Sequence, residues 1–172
     1  MEDLYLEHVA MVWRGLRRLG VPEASIEDAV QDVFLVVHRR LADFEGRSSI
    51  KTWLYGIVLR VAKDHRRAHL RQAYGVERLA EILSFTGTPE HTPVDEAERR
   101  EANQALHAIL AELDPDHREV LVMVELEGLA VREVAAVLNL HLRACQRRLR
   151  KAHAAFEKKL ARYLKPDGRQ SP

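Results

Sequence analysis

Residues 27–67, EDAVQDVFLVVHRRLADFEGRSSIKTWLYGIVLRVAKDHRR, decide the fold of this chain, because apolar positions repeat at helical spacing on both sides of a short turn. In the first half, apolar residues recur every three or four positions, which predicts one buried stripe on an amphipathic helix. Acids open this half and basic residues close it, as the helix dipole favours. The predicted stripe consists of Val30, Val33, Phe34, Val37 and Leu41.

The second half predicts another amphipathic helix, which begins after a serine cap at Ser48 or Ser49. Its polar side carries Tyr55 among cations, and an aromatic ring beside positive charges suits stacking on nucleic-acid bases next to phosphates. On this feature alone, an ordinary solvated helix face is the more frequent explanation. The apolar side comprises Ile50, Trp53, Leu54, Ile57, Val58 and Val61; the polar side comprises Lys51, Thr52, Tyr55, Arg60, Lys63 and Arg67.

The whole chain predicts an all-α protein. Its 172 residues suit one or two small domains, and only 8 glycines and 6 prolines interrupt the helical periodicity. The formal net charge of +1 does not indicate nucleic-acid binding, but the distribution of charge along the chain is informative. Residues 141–165 hold nine Lys or Arg and one acid, whereas residues 68–97 hold two Arg and five acids. This polarity indicates a basic contact surface near the C-terminus and an acidic connector.

The connector divides the chain into two small helical domains. Residues 86–93, TGTPEHTP, lack apolar periodicity and contain two prolines, which is typical of a flexible linker. We therefore predict a first domain over residues 1–68, a linker over 69–97, a second domain over 98–165 and a tail over 166–172.

The second domain contains a helix-turn-helix pattern in residues 129–153, LAVREVAAVLNLHLRACQRRLRKAH. Asn139 suits the left-handed backbone of the turn, and Leu142, Cys145 and Leu149 predict a narrow buried stripe on the following helix. Arginine and glutamine on its outer side are able to read guanine and adenine edges in the major groove. The predicted outward residues are Arg143, Gln146, Arg147, Arg150 and Lys151.

Several other functions lack a sequence signal. A single cysteine, Cys145, excludes an intrachain disulfide, and His65 with His69 has a helical metal-ligand spacing but no third ligand nearby. No nucleophile with a base, phosphate loop or metal cluster is present, so we expect neither an enzyme nor a cofactor. No signal peptide or membrane-spanning apolar run is present, so we expect a soluble cytoplasmic protein.

Two blocks of the sequence resemble the extracytoplasmic-function class of bacterial RNA polymerase sigma factors. DAVQDVF followed by FEGRSSIKTWLYGIVLRVAKDHRR resembles sigma domain two, where the pattern is roughly D-x-x-Q-[DE]-x-F and then F-x-G-[DE]-S-S-[FLI]-x-T-W-L-[YF]. REVLVMVELEGLAVREVAAVLNL resembles sigma domain four, and the blocks occur in the family's order. The resemblance implies a protein that binds core RNA polymerase, directs it to the −10 and −35 elements of promoter DNA and helps open the duplex. An anti-sigma factor is a further partner that it implies.

The resemblance also assigns site residues. In the family, the polar side of the first of the two central helices contacts a clamp coiled coil of the polymerase. Here this implies that the polymerase-binding residues are Asp28, Gln31, Asp32, Arg39 and Arg40.

The turn between the two helices holds an unstacked −10 base in the family, and polar groups there suit the edge of a flipped base. Gly46 permits the turn itself. The implied −10 residues are Phe44, Glu45, Arg47, Ser48 and Ser49 in the turn, with Lys51, Tyr55, Arg60 and Lys63 on the following helix.

The sequence departs from the family pattern in two places. Leu59-Arg60 stands where the family usually has Arg-Asn, and residues 141–149, HLRACQRRL, replace a segment that usually reads P-x-G-T-V-K-S-R-L. Promoter preference is therefore expected to be atypical. Two alternatives follow: a stand-alone helix-turn-helix regulator of duplex DNA, and a polymerase-binding interaction module that does not read promoters.

Overall fold

The computed structural model describes residues 2–75 and 94–164, with side chains for residues 3–71 and 102–164. All regular structure in these ranges is helical, which confirms the predicted all-α class. The described helices form two units, separated in sequence by the predicted linker. Most of that linker, residues 76–93, lies outside the described residues.

The first unit is a three-helix assembly in which α2 and α3 are the two helices predicted from residues 27–67. Ser49 caps α3, since its hydroxyl accepts a hydrogen bond of 3.0 Å from the Thr52 amide. Side chains of α1, α2 and α3 meet in a core whose fully buried members include Leu16, Val33 and Val58. The helices are α1, Glu2–Arg18; α2, Ile26–Arg40; and α3, Ile50–Gly75.

The second unit contains the predicted helix-turn-helix, formed by α6 and α7. Asn139 adopts a φ of 53° between them, as predicted for the turn. Leu142 is a correction: its side chain is 46% exposed instead of buried, because it begins α7 before that helix reaches the core. The helices are α4, Val94–Ala111; α5, Pro115–Leu121; α6, Val131–Val137; and α7, Leu142–Tyr163.

A π-helical turn, Val122–Leu126, continues α5. The Glu127 amide donates to the Val122 carbonyl at 3.0 Å, which is the five-residue spacing of a π-helix. Gly128 then ends the segment with a φ of 69°. One extra residue is accommodated in this turn, so the side chains beyond it are rotated relative to those of a continuous α-helix.

Arg118 joins α5 to the end of α4. Its buried guanidinium donates hydrogen bonds of 2.6 Å to the Leu110 carbonyl, 2.7 Å to the Ala111 carbonyl and 3.3 Å to the Leu113 carbonyl. Leu110 and Ala111 end α4 and Leu113 follows it, where helix carbonyls run short of partners in their own helix; the Leu110 carbonyl also accepts a hydrogen bond of 3.2 Å from the Leu113 amide. Burial, and then the nearby Arg66, lower the pKa of Arg118. The side chain remains a cation and serves as the C-terminal cap of α4.

The two units pack against each other along α3. Buried side chains from both units belong to one hydrophobic core, and α3 contacts α6 as well as α1 and α2. Consequently α3 is covered on three sides.

Candidate nucleic-acid and partner interface

The outer side of α2 carries the residues predicted to contact polymerase, and all of them are exposed. Asp28 and Gln31 line a groove between α1 and α2. Asp32 and Arg39 line a second groove, between α2 and α3. Asp32 also pairs with His65, with 2.9 Å between carboxylate oxygen and ring nitrogen. We call this surface the α2 face; its predicted residues are Asp28, Gln31, Asp32, Arg39 and Arg40.

The polar pattern missed the apolar part of the α2 face. Leu35 lies between the two grooves, lines both and is 47% exposed. Tyr5 of α1 borders the first groove and is 43% exposed. An exposed leucine and tyrosine among charged groups are typical of a protein-binding surface. The sequence signal for it is an apolar residue, Leu35, at a position outside the predicted stripe.

The turn before α3 presents polar groups around an aromatic pair. Gly46 adopts a φ of 67° at its tip, and the exposed side chains of Glu45 and Arg47 pair across it at 3.0 Å. The rings of Phe44 and Trp53 lie 5.2 Å apart between centroids and are tilted by 49°. Both rings are partly exposed, so the turn has an accessible aromatic surface. Ser48 and Ser49 complete its exposed rim.

The predicted place of Tyr55 on the water-facing side of α3 is wrong. Its side chain is fully buried, and a Cβ at Gly15 would lie 2.9 Å from its hydroxyl oxygen, so α1 approaches the ring closely. Burial, and then the negative charge of Glu127, raise the pKa of Tyr55 well above its usual range. A ring enclosed in this way has no face on which a base is able to stack.

The cations of α3 fall into two groups. Arg60 is exposed. Lys51 instead donates a hydrogen bond of 2.5 Å to the Glu127 carbonyl, and the ammonium of Lys63 lies 2.9 Å from a carboxylate oxygen of Glu119. Two of the predicted −10 residues are therefore engaged by the second unit.

The predicted recognition side of α7 is open. Each of its five predicted residues is exposed, whereas Arg148 pairs with Asp116 of α5 at 3.1 Å. Cys145 is buried beneath this side, and burial raises the pKa of its thiol. The exposed recognition residues are Arg143, Gln146, Arg147, Arg150 and Lys151.

Charged side chains between the units were missed by the sequence analysis. Arg18 of α1 and Arg66 of α3 each contact a buried glutamate of the second unit. His107 of α4 faces α1, where burial, and then the positive charges of Arg17 and Arg18, lower its pKa. No sequence spacing relates these groups, because they come from different helices.

The described residues contain no group of three or more His, Cys, Asp or Glu side chains able to hold a metal ion. Of the helices that the structure describes, none is both long enough and apolar enough to cross a membrane. The chemistry available at the surfaces above is ion pairing, hydrogen bonding and stacking.

Comparison with known proteins places both units in one family. The model for Sigma-70 region 2 matches residues 4–72, and that for Sigma-70, region 4 matches residues 103–155. The RNA polymerase sigma factor CnrH of Cupriavidus metallidurans is 30% identical over 156 residues, covering 88% of this chain and 82% of CnrH. The ECF RNA polymerase sigma-E factor of Escherichia coli K12 is 28% identical, covering 81% of this chain and 76% of that protein.

A solved structure agrees with these matches. CnrH in complex with the cytosolic domain of CnrY aligns with a TM-score of 0.68 and 27% identity, covering 94% of this chain and 87% of CnrH. The chain therefore belongs to the sigma-70 family, in its extracytoplasmic-function class. It is an RNA polymerase sigma factor, and so a transcription initiation factor and not an enzyme. This confirms the resemblance that residues 27–67 carry.

Proposed function

We propose that this sigma factor binds core RNA polymerase through the α2 face, holds an opened −10 element with the turn before α3 and with α3 itself, and reads a −35 element with α7. The observation that carries the proposal is the joint exposure of the α2 face and the recognition side of α7 on units that match regions 2 and 4. A stand-alone regulator would leave the α2 face without a role.

At the −10 site, the partly exposed Phe44 and Trp53 take the role first predicted for Tyr55. Their rings lie beside the polar rim of the turn, where an unstacked base is able to contact both an aromatic surface and hydrogen-bonding groups. Arg60 is an exposed cation on the same helix and suits a phosphate. The −10 site in this proposal consists of Phe44, Glu45, Arg47, Ser48, Ser49, Lys51, Trp53, Arg60 and Lys63.

An anti-sigma factor is a proposed partner. The solved CnrH structure is described as a complex with the cytosolic domain of CnrY, and this chain is similar to CnrH in sequence and fold. Because polymerase and chromosome meet in the bacterial cytoplasm, we place its action there.

The experiment that tests the proposal is transcription by purified core polymerase from a pool of host genomic fragments, with and without this protein. New discrete start sites are expected, and the sequences upstream of them would define the two elements. Binding to polymerase without any new start site would contradict promoter reading. No binding to polymerase would overturn the assignment of the α2 face.

Arg147→Ala is expected to lower transcription from such a promoter about tenfold, because an arginine contact with a base edge contributes about 1–3 kcal/mol of discrimination. The measurement is the initiation rate on templates with an intact or a scrambled −35 element. Lys158→Ala, an exposed cation further along α7, serves as the matched control and is expected to change little. If the wild type transcribes both templates equally, α7 does not read a −35 element.

A further inference from the structure

Glu119 of the second unit is buried among cations of the first. Its side chain is 1% exposed. One carboxylate oxygen accepts a hydrogen bond of 2.9 Å from Arg66, and the other lies 2.9 Å from the ammonium of Lys63. Both cations belong to α3. A carboxylate at this depth is stable only if it is paired, so α3 supplies the positive charge that permits its burial.

Glu127 makes a second contact of the same kind. It is 6% exposed, and its carboxylate lies 2.8 Å from the guanidinium of Arg18. Its backbone carbonyl accepts a hydrogen bond from Lys51 at the start of α3.

Between these two glutamates, the contact between the units includes one apolar pair and one hydrogen bond. Val137 of α6 packs against Gly56 of α3, and the Thr52 hydroxyl donates a hydrogen bond of 2.9 Å to Glu133. The contact thus runs from Lys51 to Arg66 along one side of α3.

The side of α3 that is covered coincides with part of the proposed −10 site. Lys51 and Lys63 are the cations concerned, and in the closed arrangement each is bound to an oxygen of the second unit. A DNA phosphate would require the same ammonium groups. The Glu127 carbonyl on Lys51 and the Glu119 carboxylate on Lys63 occupy the oxygen-accepting positions that a phosphate would take, so the closed contact and the DNA contact exclude each other.

We propose that the second unit acts as an intramolecular competitor of −10 DNA: the Glu119 carboxylate and the Glu127 carbonyl occupy cations of α3 in place of nucleic acid, and the Glu127 carboxylate holds the units together through Arg18 of α1. We call the set of contacts made by these two glutamates with Arg18, Lys51, Lys63 and Arg66 the latch. The inference rests on the proposed function of α3. In the latched form the recognition side of α7 remains exposed, so the latch blocks the −10 site selectively.

The coupling is reciprocal. A ligand that binds α3 only when the units are apart must separate them, and the closed contact lowers its affinity by the same factor. Couplings of this kind typically correspond to about 5–150-fold in affinity, so we expect the latch to weaken binding of single-stranded DNA about tenfold.

The first test locks the units together. Gly56→Cys with Val137→Cys, in a Cys145→Ala background, places two thiols at the centre of the contact, where the side chain of Val137 lies 4.0 Å from a Cβ built on Gly56. Arg147→Ala and Arg150→Ala are added so that α7 contributes little. The probe is a fluorescein-labelled single strand of about 16 nucleotides, and its anisotropy is measured for the oxidised and the reduced protein. The oxidised form is expected to bind about tenfold more weakly, and equal affinities would overturn the proposal.

The second test opens the latch. Glu119→Gln with Glu127→Gln keeps side-chain size and removes both charges, and it is expected to raise affinity for the same strand about tenfold over the wild type. The matched control is Glu112→Gln with Glu125→Gln, which removes two charges whose partners, Lys159 and His153, lie within the second unit. If both pairs raise affinity equally, the effect is general electrostatics and the latch is refuted.

The two hypotheses fail differently. Transcription is therefore measured with the Gly56→Cys, Val137→Cys, Cys145→Ala protein in which Arg147 and Arg150 are retained. A redox-dependent change in strand binding without transcription by this reduced protein and core polymerase would leave the latch standing and refute the proposed function. Transcription that is equal for oxidised and reduced protein would do the opposite.

Discussion

Asp28→Arg combined with Asp32→Arg is expected to weaken binding to core polymerase by at least about a hundredfold, which corresponds to about 2.7 kcal/mol. Both carboxylates are exposed on the α2 face, next to the apolar Leu35. Positively charged groups of the partner that pair with these aspartates would face arginines in the variant. Like charges brought together at an interface cost several kcal/mol.

The fold is expected to survive this double change. Neither aspartate contributes to the core, and the Asp32 carboxylate is 55% exposed in its pair with His65. Exposed ion pairs contribute at most about 1 kcal/mol to stability. Circular dichroism and thermal unfolding should therefore match those of the wild type closely.

The measurement is co-elution with core polymerase in size-exclusion chromatography, followed by a titration for affinity. Glu7→Arg with Glu23→Arg is the matched control, since these glutamates of the first unit are 72% and 61% exposed and do not line the two grooves. Co-elution of the aspartate variant at the wild-type level would remove the α2 face from the polymerase interface.

Arg118→Leu is expected to destabilise the second unit by about 3 kcal/mol. The leucine removes the Arg118 donor from the carbonyls of Ala111 and Leu113, and one of two donors from that of Leu110, and each buried polar group that loses its partner costs about 1–3 kcal/mol. Because α5 and α4 are joined through this guanidinium, the helix-turn-helix loses the support beneath it.

Urea unfolding followed by circular dichroism measures the effect. Arg148→Leu is the control, because this arginine of the same unit pairs with the exposed Asp116 and is itself 26% exposed, so its loss is expected to cost at most about 1 kcal/mol. Superimposable unfolding curves for Arg118→Leu and the wild type would show that the cap is dispensable.

Helical periodicity predicted α2 well. Val33, Phe34 and Val37 are buried as the stripe requires, because one side of α2 packs on the unit and the other is open. The same logic holds for α7, where the polar residues predicted to face outward are exposed. For a helix that packs on one side only, the spacing of apolar residues predicts which side is buried.

Helical periodicity gave the wrong position for Tyr55, which is buried. The polar side of α3 is covered by α1 and by α6, which begins at Val131, far along the chain from the end of α3 at Gly75, so a polar-side residue becomes a buried one. The spacing of residues within α3 does not predict that other helices pack on its polar side. The burial of Glu119 and Glu127 was equally hidden, since the cations that permit it come from α1 and α3.

The π-helical turn, Val122–Leu126, lies between those two glutamates. In a continuous α-helix, residues eight apart differ by about 80° around the axis. With one residue absorbed by the π turn, the difference falls to that of seven steps, about 20°, and both carboxylates point the same way. Deletion of one residue in this segment would convert the π turn into an ordinary α turn and leave the two glutamates seven steps apart, facing as before, whereas one further inserted residue that the turn does not absorb would rotate Glu127 by about 100°. Related chains are thus able to differ by one residue in this turn and still keep the closed contact, a tolerance that a comparison of aligned residue types would overlook.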